Sequence, residues 1–225
     1  MSLGTTLKSS IGAKVLMAVS GVLLLLFVIG HMLGNLQVFL GPDKLNAYAA
    51  TLQGLGPLLW VIRIGLLAIL VVHVAAAAKV VGMSKSARPV PYTKQQSIAT
   101  SFAARTMLVT GILVLLFVIY HVLHFTTGTI DIAGTYGGVD VEGRHDVYDM
   151  VVRGFQDLTT CAIYVVAMTL LCMHLSHGIS SLMQTMGLRK GGNAATIDKV
   201  GPLVAGVIWL GNVSMPLAAI TGIIS

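Results

Sequence analysis

Charge is scarce in this 225-residue chain: 10% of residues are Asp, Glu, Lys or Arg and 56% are apolar, whereas a soluble domain carries roughly 25% charged residues. With a mean hydropathy of +0.88, a water-soluble globule is excluded. So is a disordered chain, which needs low hydrophobicity and dense charge. Cysteine is also scarce, only Cys161 and Cys172, which excludes a disulfide-stapled secreted scaffold. The two lie in one apolar run, about 16 Å apart if helical, too far to bridge each other. Acids number 8 against 14 bases, but the bases gather at the ends of apolar runs. That is the pattern of membrane topology, not of a nucleic-acid surface, and no nucleic-acid partner is expected.

Five apolar stretches, residues 15–40, 57–78, 106–127, 158–183 and 200–224, are each long enough to cross a bilayer core, which takes about 20 helical residues. Only Arg63 places a formal charge within them. The first stretch exceeds the apolar part of a signal peptide and lacks a small-residue cleavage pattern, so it is expected to remain as a helix. The connecting segments alternate in charge. Residues 79–105 carry Lys79, Lys85, Arg88, Lys94 and Arg105 without an acid, and residues 184–199 carry Arg189, Lys190 and Lys199 against Asp198. Residues 128–157 carry six acids, from Asp131 to Asp157, against Arg144 and Arg153. The positive-inside rule therefore predicts an inner amino terminus and an outer carboxyl terminus. Pro89, Pro91, Gly137, Gly138 and the Gly191-Gly192 pair mark loops too short for a further domain. The expectation is one all-α membrane domain over residues 1–225.

An internal repeat links the first and third spans: LLFVIGHML at 25–33 and LLFVIYHVL at 115–123 share seven of nine residues. The second and fourth spans each add a His at comparable depth, so a pseudo-two-fold axis along the membrane normal is predicted for spans 1–4. The fifth span has no His.

An ionisable residue inside a span is costly and points to function. His31 and His121 each fall about 24–25 Å from the inner edge, and His73 and His174 about 24–26 Å from the outer edge, at 1.5 Å per helical residue. Two layers are thus predicted, on the order of 10–15 Å apart. Two imidazoles at one depth, on helices related by a two-fold, can hold a flat metal cofactor from both faces, which is bis-His haem geometry. Small residues, Gly30 and Gly34 near His31 and Ala75 to Ala78 after His73, leave room for a macrocycle. The plain alternative for any single intramembrane His is a helix–helix hydrogen bond. An ion site at His121/His124 or His174/His177 is a further alternative, but a tetrahedral site needs more ligands nearby. His124 and His177 otherwise serve a haem propionate, a quinone or a water, and His145 is expected to be solvated. Propionates need cations. Arg63 is the candidate at the outer haem, and Lys14 and Arg105 at the inner one, although snorkelling also accounts for the latter two. For a quinone, hydrogen-bond donors are available from Asn35, Gln37, Arg63 and His124 on the outer side and from Ser176, His177, Ser180 and Gln184 on the inner side.

Through SSIGAKVLMAVSG, HMLGNLQVFLG, LNAYAATL, WVIRIGLLAILVVHV, SARPVPY, YHVLHF and MHLSHG followed by QTMGL, the chain resembles the single-polypeptide, five-helix cytochrome b subunits of succinate dehydrogenases and fumarate reductases that carry two haems b. The resemblance covers nearly the whole chain. It implies axial ligands His31 and His121 for the outer haem and His73 and His174 for the inner one. It also implies a cytoplasmic-side flavoprotein with FAD and an iron–sulfur protein as partners, the cell inner (cytoplasmic) membrane as location, and electron exchange with menaquinone or ubiquinone. No dicarboxylate site is expected on this chain. Some relatives carry a membrane carboxylate beside the fourth-span ligand, and here the neighbours are Leu171, Cys172 and Met173. The rival expectation is a haem-free proton- or ion-conducting or transporter bundle; transporters commonly interrupt paired spans with Gly and Pro, and the His-bearing spans have no proline after Pro57. A haem-free structural anchor is a third.

Overall fold

The computed structural model describes residues 9–87 and 102–225. Lys8, Arg88, Pro89, Pro91 and Lys94, and with them most of SARPVPY, lie outside the described residues. The described elements are α1 (Ser10–Asn35), a 3-10 turn (Leu36–Leu40), α2 (Pro42–Gln53), α3 (Pro57–Ser86), α4 (Phe102–His121), a π turn (Val122–Thr126), α5 (Val147–Gln156), α6 (Leu158–Thr185), a short 3-10 turn (Gly191–Asn193) and α7 (Ala194–Ile220). Five of these segments are long and apolar enough to cross a membrane, so the chain has multi-pass membrane character. The second is longer than predicted, running on to Ser86 through Lys79 and Lys85, which continue the helix past the apolar stretch.

Local chemistry sets the helix starts. The Ser9 hydroxyl accepts the Gly12 N–H at the head of α1, and Pro57 opens α3, where its missing N–H costs nothing. The Asp157 carboxylate accepts the Thr160 N–H at 2.7 Å and caps α6. That N–H is the leading reason the Asp157 carboxyl sits below the usual carboxylate range.

Helix α1 packs along α3, α4 along α6, and α6 along α7, while α1 and α6 touch more lightly. Small residues permit the closest approaches: Gly201 of α7 faces the Ser176 backbone of α6, and Gly211 faces Met32 of α1. By contrast α3 leans on α1 and leaves nearly all its surface open, with Ala76 its one buried residue.

Two short helices, α2 and α5, lie in the connecting segments. Their apolar residues are too few for a span, but they suffice to lay one face on the bundle end. Val38, Leu45, Val152, Phe155, Tyr164 and Met215 share that core. Buried Asn46 ties the cap together: its amide donates to Asp140 and Asp146, and its carbonyl accepts the Tyr148 N–H. Desolvation pushes the Asp140 carboxyl up, but hydrogen bonds led by the Arg144 guanidinium outweigh it and hold the group below the ordinary range. Arg144 also reaches Asp43 and Glu142. Seven of the eight acids lie at this capped end, and Asp198 alone lies at the other, where Lys14, Lys79, Lys85, Arg105, Arg189, Lys190 and Lys199 gather.

Candidate cofactor site: two crossed histidine pairs

Toward the basic end, the His73 ring from α3 meets the His174 ring from α6, with centroids 6.4 Å apart and planes at 67°. Toward the capped end, His31 from α1 meets His121 from α4 at 5.7 Å and 84°. Each pair joins a helix of one packed couple to a helix of the other. Helices α1 and α4 do not pack closely, nor do α3 and α6, so the imidazoles bridge a space the backbones leave open. Their layers follow from the neighbours. Gly21 lies against His73 and Gly111 against His174, and each glycine precedes its own helix's histidine, His31 or His121, by ten residues. At 1.5 Å per residue the layers are about 15 Å apart on both helices.

The hydrogen bonds on each ring show which nitrogen is free. His73 Nδ1 lies 3.2 Å from the Met17 carbonyl and 3.1 Å from Ser20 Oγ. A carbonyl only accepts, so Nδ1 carries the proton and Nε2 keeps its lone pair. His174 Nδ1 lies 3.4 Å from Thr110 Oγ1. In the other layer the Tyr164 hydroxyl stands 3.1 Å from both His121 Nδ1 and His124 Nδ1. His31 presents Nε2 to the Asn35 amide at 3.0 Å.

Two imidazoles that ligate one metal from opposite sides through bonds of about 2 Å place their ring centres about 6 Å apart. Both pairs fall at that spacing. Each pair brings two imidazoles together from different helices, and two imidazoles are the axial donor set that a planar macrocycle takes. Three of the four rings have Nδ1 engaged and, among the described residues, no hydrogen bond at Nε2. The fourth, His31, would exchange its Asn35 contact for the metal.

The other predicted residues distribute as follows. Buried His124 is one hydroxyl removed from His121. His177 is half-buried on α6, one turn beyond His174. Arg63 is exposed, its guanidinium 5.1 Å from the Trp60 ring centre. Lys14 and Arg105 are exposed at the basic end. Gln37 is half-buried in the 3-10 turn, and Ser180 returns its hydroxyl to the Ser176 carbonyl. A cavity of about 770 Å³ opens under the cap, lined by Gln53, Trp60, Arg63, Phe125, Tyr136 and His145 among others. His145 corrects the expectation of a solvated side chain: it is half-buried, edge-on to Tyr136, with a buried Nε2. The fold of the 128–146 loop carries it there, which charge counting along the chain does not reveal.

Three residues stand at the pairs without a signal in the chain's composition or charge: Ser20, Thr110 and Tyr164. The first two could have been found, because the 90-residue offset that aligns His31 with His121 also aligns Met17, Ser20 and Gly21 with Met107, Thr110 and Gly111. Tyr164 has no repeat partner to signal it. Comparison with protein-family models, with curated proteins and with solved structures gives no match to this chain.

Proposed function

We propose that the chain is the di-haem cytochrome b subunit of a succinate:quinone oxidoreductase, holding one haem b between His31 and His121 and a second between His73 and His174. The two crossed histidine pairs, at ligand spacing and about 15 Å apart in depth, carry this reading. A haem iron held in this way cycles between ferric and ferrous and so passes single electrons. The residues of the chain do the rest. The Nδ1 proton of His73 is committed to the Met17 carbonyl and Thr110 Oγ1 stands beside Nδ1 of His174, which leaves Nε2 of each ring as the nitrogen available to a metal. If His121 likewise gives its Nδ1 proton to the Tyr164 oxygen, the Tyr164 hydroxyl hydrogen is left for His124 Nδ1, a route for protons toward the capped end.

The concentration of bases at one end supports its assignment to the cytoplasmic side of the cell inner membrane. There a flavoprotein with FAD and an iron–sulfur protein would dock. The cavity under the cap supports the quinone reaction: Arg63, Gln53 and His145 offer donors to the carbonyls of menaquinone or ubiquinone, and Trp60 and Phe125 offer apolar walls. A second reading, a haem-free proton-conducting bundle, is favoured by the His121–Tyr164–His124 hydrogen bonds alone. One measurement separates them: haem content and the dithionite-reduced spectrum of the purified complex. Two haems b per chain are expected, and a colourless folded chain overturns the assignment.

A further inference from the structure

On the haem reading just given, we propose that Ser20 and Thr110 are positioning residues, each accepting the Nδ1–H of the imidazole that crosses to it, so that His73 and His174 present bare Nε2 atoms to one haem. Neither hydroxyl is free to donate to the ring. Ser20 sends its own hydrogen to the Leu16 carbonyl at 2.6 Å, and Thr110 sends its own to the Thr106 carbonyl at 3.1 Å. What each offers the imidazole is therefore a lone pair, and the ring nitrogen must be the donor. Both hydroxyls are buried, at 5% and 2% exposure, so water does not compete for them.

The glycines next in sequence complete the seat. A Cβ at Gly21 would come within 3.2 Å of His73 Cε1, and one at Gly111 within 3.3 Å of His174 Cε1. The same Met-x-Val-(Ser or Thr)-Gly stretch thus cradles two imidazoles that arrive from helices with different local sequences. Each repeat helix therefore serves both layers, ligating in one through its histidine and orienting the other's ligand through its hydroxyl, eleven residues away. An acceptor on Nδ1–H makes the imidazole a stronger electron donor, which favours the ferric iron and lowers the reduction potential. Removing the acceptor should raise it.

The test uses the intact complex in native membranes, with Ser20→Ala, Thr110→Val and the double variant set against the hydroxyl-retaining Ser20→Thr and Thr110→Ser. Readouts are haem content, the midpoint of each haem by redox titration, and the low-spin ferric resonance, which reports how the two imidazole planes are held. The double variant is expected to keep both haems and to shift the reduction equilibrium of the His73/His174 haem about 10-fold, roughly 59 mV upward for one electron. The His31/His121 haem should not move, and Thr110→Ser should restore the native value. Two full haems with unchanged potentials and resonances in the double variant overturn the proposal, as does a shift confined to the other haem. If the double variant does not assemble, Thr110→Val read against Thr110→Ser carries the same comparison. A wild-type complex without haem overturns the functional reading and this proposal with it, whereas an unshifted double variant overturns the proposal alone.

Discussion

At the basic end, His73 and His174 give their Nδ1 protons to oxygens of the helices they face, and nothing titratable stands between those oxygens and the helix backbone. At the capped end, His121 reaches a tyrosine that also reaches His124, and Phe125, between them and the cap, borders the cavity that holds Arg63 and His145. Among the described residues, only the second pair has a tyrosine hydroxyl and a further imidazole hydrogen-bonded on its Nδ1 side. On the haem reading proposed above, the first pair would relay an electron without a proton, while reduction or oxidation of a quinone needs both, which favours the second for that chemistry.

The strongest way to break this comparison is to remove a ligand. His31→Ala and His121→Ala should each abolish one haem component in a redox titration, and His73→Ala and His174→Ala the other. Loss of the same component in the His31 and His73 variants contradicts the pairing. Next in size is the cap. Asn46→Leu leaves the Tyr148 N–H and two carboxylates without their buried partner, at a cost of about 1–3 kcal/mol; thermal unfolding should fall accordingly. The haem between His31 and His121, beneath the cap, should be shed before the other.

Tyr164→Phe tests the proton connection more gently. Both haems should stay, and quinone turnover should slow about 100-fold, the lower end of the range for a lost proton-transfer group. Equal turnover in the variant detaches Tyr164 from the reaction. The smallest effect is that of pH. The Asp140 and Asp157 carboxyls are held below their unfolded values, so their contribution is present above an unfolded pKa of about 3.9 and is lost as pH falls through the lower folded values. Protease cleavage in residues 128–146 should rise on acidification in that window, with the basic-end haem spectrum unaltered.

Much of this was legible in the chain because the bilayer imposes one rule, that every backbone polar group be satisfied within its own segment. Length and apolarity therefore identified the five spans, and a shared depth put His31 with His121 and His73 with His174. The cap was not legible: α2 and α5 are stabilised by a face laid on other helices, through Asn46, Leu45, Val152 and Phe155, and partners distant in sequence leave no periodic trace strong enough to read locally. Ser20 and Thr110 look like ordinary small residues of a span until an imidazole from another helix is found against them. His145, surrounded by charge in sequence, is turned inward by the loop that Asn46 and Arg144 hold.

The sequence by itself determined which segments are long and apolar enough to cross a membrane, which end gathers the bases, and how far along its helix each histidine lies, because helical rise converts residue count directly into height. Only the tertiary structure decided which nitrogen each histidine keeps free, which hydroxyl meets it and where a cavity opens. Those depend on the rotation and approach of neighbouring helices, and side-chain packing between them sets both.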